Sequence, residues 1–243
     1  MNAKPFVTAI IAAGGTGSRM GSVLPKQFLD LSGKPVLART VGVFDASPDI
    51  DDIILVIPEG YEDTVRDGIV ARRGFGKCRE IVAGGGDRLR SVYEGIRRVR
   101  PGTEILVVHD GVRPFTTGPE IARVIAGAAK YGACAPGCRP KDTVKLVQAD
   151  RRAALAEESA VFAESTPGRA SIRLIQTPQA FRFDIIKSAY DYAVENGLNA
   201  SDDAALAEMA GVRTRIIEGN YANIKITTEE DMVFAEAWLL RSR

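Results

Sequence analysis

The sequence predicts an α/β protein built on a doubly wound, mostly parallel sheet with a projecting β-arm. Three observations predict it. Short, β-branched apolar runs recur in the first half of the chain, at Val7–Ala12, Ile53–Ile57 and Ile105–His109. They lack polar alternation, which suits strands covered on both faces, the usual condition of parallel strands. Helical patterns stand between them, and strands alternating with helices build parallel sheets through crossover connections. After Tyr131 the rhythm changes to an alternating stretch with one wet face.

In order, Val7–Ala12 is the first strand, followed by a helix near Val36–Asp45 and a second strand at Ile53–Ile57. A helix near Glu62–Arg72, a short strand at Glu80–Val82, a helix near Arg88–Arg98, a strand at Ile105–His109 and a helix at Pro119–Tyr131 follow. Thr143–Val147 alternates as a half-exposed strand does, and the stretch from Asp150 to Arg169 has no long apolar run. Pro140–Ser171 therefore reads as an arm of two strands. A two-stranded ribbon cannot bury its own apolar side, so it is expected to dock, most simply on a second copy of the chain. Ile172–Gln176 returns as a strand, a helix runs from about Phe183 to Asn196, and Ser201 or Asp202 caps another. Arg213–Glu218 is a strand and Asn223–Thr227 a short extended piece. The last helix opens at Thr228 with Glu229, Glu230 and Asp231 in its first turn, as the helix dipole prefers. The expected organisation is one domain over residues 1–243, with the arm inserted at about 140–171.

The 243 residues are 45% hydrophobic and 26% charged, an ordinary globular composition. Lys and Arg total 32 against 31 acids, a net charge of +1, which argues against a surface that wraps nucleic acid. Three cysteines, Cys78, Cys134 and Cys138, are too few for a disulfide framework and predict a reducing compartment. His109 is the only histidine, so most His-ligated metal sites are excluded. No apolar stretch approaches the roughly 20 residues a membrane helix needs, and no secretory leader precedes the first strand. A cytoplasmic protein without a membrane partner is expected.

The first strand runs into Ala12-Ala13-Gly14-Gly15-Thr16-Gly17-Ser18-Arg19-Met20-Gly21. Glycines there let backbone N–H groups approach a ligand closely, and phosphate is the default ligand, with a tight structural turn as the alternative. The Walker pattern is excluded, because no Gly-Lys-Ser/Thr closes the loop. A dinucleotide fingerprint fits poorly: it needs a helix starting inside the loop, and Pro25 would cost that helix about 3 kcal/mol. A third type keeps a long loop and adds cations. Arg19 and Lys26 stand seven apart, and Pro25 restricts the approach to Lys26. Two cations beside a bed of N–H groups suit a triphosphate whose charge concentrates during reaction.

That loop and Pro25-Lys26-Gln27 are followed by Gly84-Gly85-Gly86-Asp87-Arg88-Leu89-Arg90-Ser91-Val92, His109-Asp110-Gly111-Val112-Arg113-Pro114 and Lys141-Asp142-Thr143-Val144-Lys145. Gln176-Thr177-Pro178-Gln179, Ser201-Asp202-Asp203-Ala204 and Asn223-Ile224-Lys225 complete the series. In this order the motifs resemble the 2-C-methyl-D-erythritol 4-phosphate cytidylyltransferases of the non-mevalonate isoprenoid pathway. The resemblance implies a Rossmann-like nucleotidyltransferase fold. It also implies transfer of a cytidylyl group from CTP to methylerythritol 4-phosphate with release of pyrophosphate, in the presence of Mg2+.

By the same resemblance Arg19 and Lys26 bind the triphosphate and stabilise the transition state, Lys225 reaches the phosphates, and Asp110 lies at the reaction centre. Ala13, Gly14, Gly15, Gly17, Gly85, Asp87, Arg88, Ser91 and Gly111 are the expected CTP contacts. Arg113, Thr143, Arg169, Thr177 and Ser201 are the expected acceptor contacts. Thr143 and Arg169 would serve the neighbouring subunit's site, which implies a homodimer through the arm. Mg2+ would be held mainly by the CTP phosphates, near Asp110. His109 is expected to pack or hydrogen-bond rather than catalyse. Gly14, Gly111, Arg173 and Ser201 depart from the residues the family usually carries.

The nearest rival is a ribitol 5-phosphate cytidylyltransferase. The Arg19-to-Lys26 spacing and the intact Lys141–Lys145 stretch point away from it. A noncatalytic nucleotide-binding module would need the glycine loop but not Arg19, Lys26, Asp110 and Lys225 together. Some relatives are fused to a second enzyme of the pathway. Here the last predicted helix runs close to Arg243, so a single activity is expected.

Overall fold

A computed structural model describes residues 4–15, 24–149 and 161–241. The chain opens with β1 (Val7–Ala12), a single turn at Lys26–Phe28 and a small hairpin of β2 (Asp30–Leu31) and β3 (Lys34–Pro35). Next come α1 (Val36–Ala46), β4 (Asp52–Ile57) and α2 (Glu62–Val65), which widens into a π-helical stretch over Arg66–Ala71. β5 (Cys78–Ala83), α3 (Arg88–Ile96), β6 (Ile105–Asp110), α4 (Gly118–Tyr131) and β7 (Ala133–Cys138) complete the first part. The remainder is β8 (Leu146–Ala149), β9 (Val161–Ser165), β10 (Leu174–Ile175), β11 (Gln179–Arg182), α5 (Phe183–Glu195), α6 (Asp203–Met209), β12 (Arg215–Glu218) and α7 (Glu229–Arg241).

The main sheet runs β10-β7-β11-β6-β1-β4-β5, with β12 also paired to β7. β6, β1, β4 and β5 are mutually parallel, as are β12 and β7. β11 lies antiparallel between β6 and β7. The apolar runs are strands because both sheet faces are covered. On one face Val7, Ala9, Ile11, Ile53, Leu55, Ile57, Ile105 and Val107 pack against α1, α2 and α4. On the other, Ile10, Ile54, Val56, Leu106 and Val108 pack against α3, α5 and α6. α4 starts sharply because Thr117 and Glu120 cap each other across its first turn.

Register brings Ala12 level with both Val56 and Asp110, and Ala83 level with Ile57, so four parallel strands end at one rim. β1 is where the chain's route divides, toward β4 on one side and β6 on the other. Open α/β sheets bind ligands at such a switch point.

Several expectations are corrected. β7 and β11 were not anticipated as strands, yet β7 is buried along its whole length. Pro136 falls where one edge of β7 passes from β11 to β10, and its carbonyl accepts the Gln176 N–H at 2.9 Å. The strand expected over Thr143–Val147 begins only at Leu146. Leu174–Ile175 is all that forms of the Ile172–Gln176 strand. Asn223–Thr227, expected only as a short extended piece, joins no sheet, and the Ile226 N–H bonds the Val112 carbonyl at 2.9 Å. Of the two expected caps for α6, Asp202 is the one used, accepting the Ala205 N–H at 2.9 Å. Within the segment expected as an arm, β8 and β9 pair antiparallel in a two-stranded sheet of their own.

Candidate active site

The parallel ladder continues past the strand ends. Ala13 N–H bonds the Val56 carbonyl at 2.7 Å, Gly84 N–H the Ile57 carbonyl at 2.7 Å, and Gly111 N–H the Ala12 carbonyl at 2.8 Å. Three turns therefore leave the sheet side by side and frame a cleft of about 470 Å³.

Close approach explains the glycines here. A Cβ on Gly84 would stand 2.8 Å from Ser91 Oγ, and one on Gly85 would stand 2.5 Å from Arg90 Cβ. Gly14 is nearly as tight, at 3.1 Å from Ser91 Oγ, so alanine there would press on the base of the cleft. At Gly111 a Cβ would meet Ala13 Cβ at 2.7 Å. Ser91 is buried between the two turns and donates to the Asp87 carbonyl at 2.7 Å. Asp87 caps α3, accepting the Arg90 N–H at 2.7 Å.

Lys26 stands on the single turn after Pro25, whose φ of −55° is fixed by its ring. Gln27 beside it is buried and donates from Nε2 to the carbonyls of Ala13 at 2.6 Å and Gly15 at 2.9 Å. The lysine turn and the glycine loop are thereby tied together.

Asp110 closes β6 and meets three cations: Lys225 Nζ at 3.0 Å, Arg113 Nε at 3.2 Å and Arg88 Nε at 3.5 Å. Burial alone would raise its pKa, but Lys225, Arg88 and Arg113 together hold it well below the usual carboxylate range. Its backbone N–H donates to Thr177 Oγ1 at 3.0 Å. That hydroxyl also lies 3.0 Å from His109 Nδ1, and His109 Nε2 lies 3.1 Å from the Arg113 carbonyl. A carbonyl only accepts, so Nε2 carries the proton and Nδ1 accepts from Thr177. Burial lowers the His109 pKa to about 4, so the ring is neutral at pH 7. Arg113 also donates to the Asn223 carbonyl at 2.8 Å, and buried Asn223 donates to the Thr177 carbonyl at 2.8 Å.

Ala13, Gly14, Gly15, Lys26, Gly85, Asp87, Arg88, Ser91, Asp110 and Lys225 line the cleft. Gly111 packs behind the glycine loop, and Arg113 and Thr177 brace Asp110 and His109 from behind rather than lining the cleft. Ser201 is exposed ahead of the α6 cap. Thr143 and Arg169 are exposed on the arm, 3.5 Å apart. Gly17 and Arg19 lie outside the described residues. Gln27, Tyr190 and Asp203 were not singled out from the sequence. Gln27 and Asp203 stand inside motifs quoted above, yet neither residue type announces that it will be buried.

Among the described residues no three His, Cys, Asp or Glu side chains gather as a metal site. Asp110 is a hard oxygen donor on the cleft, which fits an Mg2+ that takes one carboxylate and otherwise phosphates and water.

The 2-C-methyl-D-erythritol 4-phosphate cytidylyltransferase family model, IspD, matches residues 7–241. A protein of that name from Geobacter metallireducens is 43% identical over 237 residues, covering 96% of this chain and 97% of its own. A bifunctional IspD/IspF enzyme from Desulforudis audaxviator is 46% identical over 231 residues, 95% of this chain but only 56% of that protein. Among solved structures, the 4-diphosphocytidyl-2C-methyl-D-erythritol synthase of Anaerococcus prevotii superposes with a TM-score of 0.83 at 33% identity, covering 98% of this chain and 97% of that one. With a single family matched from the first strand to the last helix, the chain belongs to the 2-C-methyl-D-erythritol 4-phosphate cytidylyltransferase family.

Proposed function

We propose that the chain transfers the cytidylyl group of CTP to 2-C-methyl-D-erythritol 4-phosphate, giving 4-diphosphocytidyl-2-C-methyl-D-erythritol and pyrophosphate. The observation that carries this is the convergence of the glycine turns, Lys26, Lys225 and Asp110 on one cleft at the carboxyl rim of the sheet.

An oxygen of the acceptor phosphate attacks the α-phosphorus of CTP opposite the oxygen that bridges to the β-phosphorus. The new P–O bond forms as the old one breaks, and pyrophosphate leaves. No enzyme nucleophile is needed, so the protein supplies placement and charge. Cytosine offers an amino donor and ring acceptors, matched by the backbone of the Gly85–Asp87 turn and by Ser91. Lys26 and Arg19 hold the triphosphate and stabilise the charge that grows on the α-phosphate and pyrophosphate. Lys225, oriented by its 3.0 Å pair with Asp110, faces the same phosphates. Mg2+, held by the nucleotide phosphates with Asp110 near it, would neutralise phosphate charge.

The arginine and threonine hydroxyl that meet on the arm extend the site to a second subunit. Thr143 and Arg169 take the acceptor phosphate in the neighbouring cleft, so the working unit is a homodimer. We assign one nucleotidyltransferase domain with its arm at about 140–171, acting in the cytoplasm. Among the described residues no helix is long and apolar enough to cross a membrane.

Pyrophosphate release with CTP and Mg2+ tests the assignment, with methylerythritol 4-phosphate compared against ribitol 5-phosphate. Methylerythritol 4-phosphate is expected to be strongly preferred. Lys26→Ala is expected to lose at least about a hundredfold in turnover, the cost of one transition-state donor of about 2.7–4 kcal/mol. Preference for ribitol 5-phosphate, or near-normal turnover of the variant, would sink it.

A further inference from the structure

Arg88 is the first residue of α3, directly after the Asp87 cap of the nucleotide turn, and its side chain reaches two carboxylates at once. Nη1 and Nη2 fork onto Asp203 at 3.0 and 2.7 Å, and Nε lies 3.5 Å from Asp110. Asp203 is fully buried at the start of α6, and the Tyr190 hydroxyl, also fully buried, donates to the same carboxylate. Asp203 is absent from the cleft lining, whereas Arg88 and Asp110 both belong to it.

A guanidinium forked onto a buried carboxylate has one orientation, because both contacts must be met in its plane. The fork decides which edge of Arg88 remains for Asp110, namely Nε. It also leaves the two oxygens of Asp110 unequally served: Arg88 takes Oδ1, while Arg113 and Lys225 share Oδ2. Without the fork, Arg88 would be a mobile cation on the cleft wall. It could then turn fully onto Asp110 or onto the triphosphate and draw either out of line.

We propose that Asp203 is a positioning residue for the transfer reaction, acting through Arg88 to fix Asp110 and the nucleotide turn in one frame. This rests on the function proposed above. It assigns a catalytic consequence to a side chain that touches no substrate.

The test compares Asp203→Asn, Asp203→Glu, Tyr190→Phe and Arg88→Met by kcat, by KM for each substrate, and by thermal unfolding. Misplacement of a reacting frame costs up to about a hundredfold, so Asp203→Asn is expected to lower kcat by about ten- to a hundredfold. Tyr190→Phe removes a donor to the same carboxylate but keeps the fork. It is expected to lower the unfolding temperature while holding kcat near the wild-type value. In an Arg88→Met background, Asp203→Asn is expected to cause no further loss of kcat, since its route is already cut. If Asp203→Asn does not fold, Asp203→Glu carries the test: it keeps the charge and shifts the fork by one methylene, and a folded variant with reduced kcat is expected. Wild-type kcat in either folded Asp203 variant overturns the proposal. So does a kcat that falls in step with unfolding temperature across all four variants, or an Asp203 effect that persists undiminished without Arg88. Wild-type turnover in the same assay reports separately on the proposed function, because the comparison holds with whichever acceptor the wild type uses.

Discussion

Burial sets the His109 imidazole at a pKa of about 4 against an ordinary 6.5. The hydrogen bond to the Arg113 carbonyl and the charge of Asp110 oppose burial, the charges of Arg113 and Lys225 act with it, and the net shift is downward. Between those two values the unfolded chain binds a proton that the folded chain does not, so stability falls as pH drops through that window. The contribution is complete above about pH 6.5 and amounts to about 3 kcal/mol. Asp110, also depressed, acts only below its ordinary 3.8 and so leaves this window to the histidine. Urea unfolding at pH 7 and pH 4.5 is expected to show the loss, and His109→Gln to flatten it. An unchanged pH slope in the variant would assign the loss to other groups. At this scale the sequence was informative where chemistry is visible in the residue type. Lys26, Asp110 and Lys225 are charged groups in motifs, and all three line the cleft. Gln27 and Asp203 do their work by being buried against specific partners, which only the folded neighbours reveal.

Elements built from β-branched residues were legible because their period and composition agree with their burial. β1, β4 and β6 match their expected runs to within a residue. β7 escaped because Ala133, Ala135, Pro136 and Gly137 have little strand preference; it is a strand because its neighbours demand one. Small residues suit it, since α4 lies close: a Cβ on Gly127 would stand 2.4 Å from Cys134 Sγ and 2.8 Å from its Cβ. Gly127→Ala is therefore expected to destabilise by about 1–3 kcal/mol, despite alanine's better helix propensity. Gly42 in α1 is the control. Its Cβ would make only ordinary contact with Phe75 at 3.6 Å, so Gly42→Ala should stabilise by up to about 1 kcal/mol. Thermal unfolding of the two variants measures the contrast, and equal shifts would refute it.

At the scale of the whole molecule the arm is the element that the sheet does not support. β8 and β9 pair only with each other, and Leu146, Val147 and Phe162 are more than half exposed. A lone two-stranded ribbon is marginal in water. The proposed dimer supplies its missing cover and brings Thr143 and Arg169 to a neighbouring cleft. Two inactive variants, Lys26→Ala and Arg169→Ala, are expected to regain activity when subunits are mixed, because one hybrid cleft then carries neither change. No recovery after subunit exchange is verified by sedimentation of tagged chains would refute the shared cleft. The three cations around Asp110 have a different consequence, one of timing. Arg88 and Arg113 leave the ribosome close to Asp110, but Lys225 follows more than a hundred residues later. β1, β4, β5 and β6 can pair while that last counter-charge is still unmade. In a chain made from its N-terminus, the central carboxylate of such a sheet is only partly neutralised until the stretch that carries Lys225 has been made.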